Sequence, residues 1–116
     1  MARWWQRLVQ GASRRRKGRA GRDFAEIDPD TLQATTDYLD RFLTTRRGVE
    51  VWVESPTNFN RPSIVLIAHD GEWTRRVVPS VRWGHQFADQ RKLASYDAGV
   101  IPYPQRMRDW NQRNKD

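Results

Sequence analysis

The sequence predicts an α+β domain: a three- to four-stranded, mainly antiparallel sheet packed by two helices, in the order α-β-β-β-α-(β), with a flexible basic N-terminal arm. Three observations predict it. Val49-Glu50-Val51-Trp52-Val53-Glu54 alternates strictly, which is the period of a half-buried strand. Asp28-Pro29-Asp30 opens a stretch whose apolar residues recur at helical spacing. Asp70-Gly71 joins two short strand-like runs as a hairpin. A length of 116 residues suits one domain plus extensions: a basic arm over 1–22, the α+β domain over 23–104 and a polar C-terminal tail over 105–116.

The first helix starts where Asp28 can cap, Pro29 suits the first helical position and Asp30 favours the positive end of the dipole. Leu32, Leu39, Phe42 and Leu43 form its buried stripe with Tyr38 beside it; Arg46 and Arg47 fall in the last turn and Gly48 ends it. In the first strand the valines face the core and Trp52 lies on the opposite face between Glu50 and Glu54, within reach of Trp73 or Arg75. An eight-residue loop from Ser55 to Pro62 follows, with Phe59 at its middle. Ser63 to His69 is apolar on both faces and therefore a central strand; Asp70-Gly71 is a tight turn of the primed type, and Glu72 to Val78 is the third strand, stopped by Pro79. Ser80 caps a second helix reaching about Ala94, with Val81, Trp83, Phe87 and Leu93 available for packing. Tyr96 to Ile101 is a short fourth strand, and the tail after Pro104 is a frayed helix carrying Met107 and Trp110.

Charge is distributed unevenly. Arg3, Arg7, Arg14, Arg15, Arg16, Lys17, Arg19 and Arg22 stand in the first 22 residues without a single acid, while the other thirteen basic residues face all fourteen acids. The net charge of +7 therefore belongs to an arm and not to a basic body. The sign then flips: Asp23, Glu26, Asp28, Asp30, Asp37 and Asp40 form an acidic block that can shield the arm in cis. With no cysteine, disulfides, thiolate metal sites and redox thiols are excluded. The longest apolar run, Ile64 to Ala68, is far short of the ~18 residues of a membrane span. No secretory hydrophobic region follows the arginines, so the expected compartment is the cytoplasm.

Candidate chemistry concentrates in the arm. Arg14, Arg15, Arg16, Lys17, Arg19 and Arg22 suit a phosphate backbone, where affinity comes from counterion release. Trp4, Trp5 and Phe59 are candidate aromatic anchors, by stacking on bases or docking elsewhere. Arg75, Arg76, Arg106 and Arg108 would add to the phosphate surface if they share a face. Trp4 and Trp5 beside Arg3 and Arg7 equally fit an interfacial segment at an anionic membrane surface. His69 precedes Asp70, and His85 lies one turn before Asp89. A His–Asp pair can orient an imidazole for base catalysis. With no activated serine placed by the sequence, however, both histidines read as structural, and no metal or other cofactor is expected.

Two resemblances attach to these residues. The α-β-β-β-α order is similar to that of double-stranded-RNA-binding domains, but no basic cluster opens the second helix; Arg91 and Lys92 lie at its far end. Over about residues 49–113, Asp70-Gly71-Glu72-Trp73-Thr74-Arg75-Arg76 with Tyr103-Pro104-Gln105-Arg106-Met107-Arg108-Asp109-Trp110 resembles a group of small uncharacterised actinobacterial basic proteins. No established function comes with that resemblance. Some members carry a generic oxidoreductase label, for which this sequence offers neither a glycine-rich dinucleotide fingerprint nor a redox thiol. The expectation is a small non-enzymatic nucleic-acid-binding accessory protein, directed at RNA or a ribonucleoprotein through its arm. The alternative is a protein-interaction or anionic-membrane-surface module.

Overall fold

The computed structural model describes residues 26–115. The predicted arm lies outside them, as do Trp4, Trp5 and the start of the acidic block, so the cis-shielding expectation falls outside the described residues too. Seven elements follow: α1 (Pro29–Thr45), β1 (Glu50–Glu54), β2 (Ser63–Ile67), β3 (Trp73–Val77), α2 (Val81–Gln90), β4 (Ser95–Asp97) and α3 (Gln105–Arg113). The strands form one sheet in the order β3-β2-β1-β4, antiparallel except for the parallel β1–β4 pair. The α+β class and element order are those read from the sequence.

Both long helices start as their caps dictate. The Asp28 carboxylate accepts from the Thr31 N–H at 2.8 Å with Pro29 following, and Ser80 Oγ accepts from the Trp83 N–H at 3.0 Å. Their ends differ from expectation. α1 stops at Thr45 rather than running to Gly48, because Arg46 leaves the helix to pair with Glu72 at 2.6 Å while its guanidinium lies over the Phe42 ring. α2 stops at Gln90 rather than near Ala94: Lys92 takes φ +59°, and the Lys92 and Leu93 N–H groups return to Asp89 and Ala88 carbonyls. The β2–β3 turn is not primed. The Gly71 N–H returns to Ala68 O across His69 and Asp70, neither with positive φ, and Gly71 alone takes φ +95°, as in a three-residue bulged hairpin.

The sheet has two covered faces. Val51, Val53, Ile64 and Leu66 point at α1 and α2 and bury against Leu39, Phe42, Phe87 and Ala88. Each fully buried aliphatic side chain here contributes about 1.5–3 kcal/mol of transfer free energy. Gly84 brings α2 close to the sheet, since a Cβ there would sit 2.7 Å from Ile64 Cγ2. On the opposite face Trp52, Val65 and Ile67 are buried against Trp73, Tyr96, Ala98, Tyr103 and Met107. Trp52, 3% exposed, makes its aromatic ring contacts with Tyr96 and Tyr103, where the sequence had suggested Trp73 or Arg75. Residues 105–113, set apart in the sequence as part of a polar tail, form the helix α3 that helps cover this second face. Tyr96 to Ile101 contains only the short β4, shifted to Ser95–Asp97, because the Val100 and Ile101 N–H groups turn back onto Asp97 O. No helix among the described residues is long and apolar enough to cross a membrane.

Candidate functional site

Two carboxylates organise the second face. Glu50 and Glu54 flank Trp52 on β1, two residues either side, and so project with it. Glu54 accepts from Ser63 Oγ, from the Tyr103 hydroxyl and from Arg75 Nε at 2.8 Å. Burial alone would raise its pKa, but these hydrogen bonds outweigh burial and hold it below the ordinary carboxylate range. Glu50 accepts from Tyr96 Oη at 2.9 Å and Arg106 at 2.8 Å, with the same balance and the same downward direction. Burial, reinforced by the bond to Glu54, pushes the Tyr103 phenol well above its usual value. Arg106 also donates to Ala68 O at 2.9 Å, and Trp52 Nε1 donates to Ile101 O at 3.0 Å. These contacts fasten residues 101–113 to the sheet.

The four body arginines named as candidate phosphate ligands therefore do not form one surface. Arg75 and Arg106 face the second side and are each ion-paired to a β1 glutamate. Arg76 faces the α1 side, its guanidinium 3.8 Å from the Tyr38 ring centroid. The phenol of that tyrosine is hydrogen-bonded to Thr74 Oγ1 at 2.8 Å. Arg108 is exposed on α3, where it donates to Gln105 Oε1 and Tyr103 O. A fourth ion pair, Arg91 with Asp40, clamps α2 to α1 with contacts at 2.6 and 3.1 Å. Phe59, by contrast, is 90% exposed on a loop held by Thr57, whose hydroxyl accepts from the Phe59 and Asn60 N–H groups.

One groove, about 520 Å³ and open to solvent, runs along β3 at one edge of the sheet. Its lining includes Asn60, Arg61, Trp73, Arg75, Arg76 and Val77, three arginines with no carboxylate. A second, smaller groove of about 310 Å³ is lined by His85, Asp89, Leu93 and Ser95. There His85 Nδ1 lies 2.7 Å from Ser95 Oγ, bridging α2 and β4. Burial lowers the His85 pKa, against the smaller opposing effect of Asp97, and so favours the neutral ring. The sequence had paired His85 with Asp89; Ser95 was missed because the parallel β1–β4 register, which aligns Ser95 with Val51 under α2, has no local signal. His69 is exposed in the β2–β3 turn. Among the described residues no group of three or more histidines and carboxylates could hold a metal ion.

In comparisons with known proteins, no family model, curated protein or solved structure matches the chain.

Proposed function

We propose that this is a non-enzymatic nucleic-acid-binding accessory protein of the cytoplasm, engaging RNA or a ribonucleoprotein through its Arg-rich arm. Arg14, Arg15, Arg16, Lys17, Arg19 and Arg22 take the phosphates, and Trp4 and Trp5 supply stacking contacts. One observation carries this reading: the division of charge between arm and body. Eight positives without an acid stand in residues 1–22, whereas Arg46, Arg75, Arg91 and Arg106 of the body are each committed to a carboxylate of the body itself. Ion-paired arginines stitched into the fold offer little to a polyanion; arm cations with no acid among them release counterions when they meet one. The proposal therefore rests on the arm, with Arg76 and Arg108 as minor contributors and Arg75 and Arg106 as structural residues.

The test compares the full-length protein with a full-length variant in which Arg14, Arg15, Arg16, Lys17 and Arg19 are all changed to Gln. Binding to single-stranded RNA, duplex DNA and anionic vesicles is measured across a salt series. Five phosphate contacts contribute a slope of log affinity against log salt of about −3.5 to −4.5, which the variant should lose. A variant that keeps both RNA affinity and slope sinks the proposal. Vesicle binding that survives high salt and disappears when Trp4 and Trp5 are replaced by Ala would instead favour the membrane-surface alternative.

A further inference from the structure

The edge of β3 is a surface feature separate from the arm. Among the described residues β3 is the last strand of the sheet and pairs only with β2. The Val78 N–H donates to Pro62 O and the Ala68 N–H donates to Glu72 O, so Thr74 and Arg76, between them in the ladder, also turn their backbone groups toward β2. Alternation then sends the N–H and C=O groups of Trp73, Arg75 and Val77 outward along about 17 Å of strand. One of these groups is already occupied: Arg75 O accepts from the Arg76 guanidinium at 2.7 Å.

Protected sheet edges usually carry a bulge, a proline, charged side chains or a covering element. Trp73–Val77 holds no proline, which comes at Pro79, two positions beyond the strand, and its charges, Arg75 and Arg76, oppose a basic strand but not an acidic one. The edge opens into the groove flanked by Arg61, Arg75 and Arg76, with Val77 43% exposed beside it. Arg75 uses Nε on Glu54 yet leaves 52% of its side chain exposed.

We propose that this edge accepts an extended acidic peptide from a partner protein, added as a fifth strand beside β3. Chemistry selects this occupant over the others. An outward edge presents both donors and acceptors, which a peptide backbone satisfies in alternation. A phosphodiester backbone is acceptor-only and would leave the Trp73 and Val77 carbonyls unmatched. A second copy paired symmetrically about Arg75 would set that arginine against its own counterpart, and like charges directly across strands are destabilising. The chain's residues 1–22 carry eight positives and are repelled for the same reason. Carboxylates on the α1-side face of an incoming strand instead meet Arg76 across the edge, with Arg61 in the same groove, while Arg75 stays with Glu54 on the other face.

The experiment uses the full-length protein with the five arm substitutions described above, so that capture of acid by the arm does not count. The probe is an eight-residue peptide of alternating Val and Glu, compared with the same peptide carrying Gln for Glu. Amide hydrogen exchange is read residue by residue. In the free protein Thr74 and Arg76 should be protected, and Trp73, Arg75 and Val77 should exchange rapidly. The Val-Glu peptide should slow exchange at those three by at least about tenfold and bind at least about tenfold more tightly than the Gln version. Val77→Pro, which removes an outward N–H and no ladder bond, should weaken binding while leaving Thr74 protected. Arg76→Glu should weaken it as well. Equal binding of the two peptides, binding without protection of the three amides, or an RNA oligomer that protects the same amides would each overturn the proposal. Because the arm is neutralised, failure here leaves the nucleic-acid reading intact, and the converse also holds.

Discussion

The two faces of the sheet are covered by different physics. On one, α1 and α2 bury aliphatic side chains, among them Leu39, Val51, Ile64 and Leu66, and polar contacts such as Asp40–Arg91, Arg46–Glu72, Tyr38–Thr74 and His85–Ser95 join the helices to each other and to the sheet. On the other, residues 98–113 lie over Trp52, Val65 and Ile67 and are held by hydrogen bonds from Tyr103, Arg106, Trp52 and Trp73. The first face draws on non-directional burial, which any helix of similar apolar volume would satisfy. The second depends on particular donors meeting particular acceptors, so it specifies one path for the chain across the sheet. The comparison teaches that a segment can be polar in composition and still be part of the fold.

The largest effect should come from the apolar face. Leu66→Ala removes a fully buried side chain between the helices and β2 and should cost about 2–5 kcal/mol in urea unfolding. A loss below about 1 kcal/mol would mean that the helices do not depend on this packing. Gly71→Ala separates the faces more selectively. Its φ is +95°, and a Cβ there would lie 1.9 Å from Arg106 O, so α3 must move. The expected cost is about 1–3 kcal/mol, with hydrogen exchange rising in 105–113 and little changed in α1. Equal loosening of α1 would show that the two faces act as one unit.

The smallest effect sharpens the polar side. Glu54 has a folded-state pKa below its ordinary 4.5, so its stabilisation is fully present above that value. It is lost as pH falls through the folded-state pKa. Glu54→Gln should destabilise by about 1–2 kcal/mol at neutral pH. The difference between wild type and variant should shrink as pH drops below 4.5, measured as urea midpoints at a series of pH values. Parallel curves across that range would remove Glu54 from the acid-sensitive contacts.

Much of this was legible before any coordinates. β1 shows its two faces in the alternation of Val with Glu, Trp and Glu, and both helix starts follow from Asp28-Pro29 and Ser80. The role of α3 was hidden because Arg106, Tyr103 and Asn111 have the composition of a solvated surface, and their hydrogen-bond partners lie from 38 to 56 residues away in sequence. The same distance conceals that Arg75 and Arg106 are partners of β1 carboxylates rather than members of a basic patch. Gly71 reads as an ordinary turn glycine; its second use, admitting the backbone of α3, appears only when that helix is in place.

By itself, then, the sequence determined the α+β class, the strand faces, the helix starts and the concentration of charge in residues 1–22. All of these depend on neighbours a few positions apart, whose spacing or sign is written in the chain. Tertiary structure alone decided which arginines are internal, where Ser95 meets His85, and that β3 rather than β1 or β2 is an open edge. Those outcomes depend on strand order and long-range pairing, and no local period encodes either.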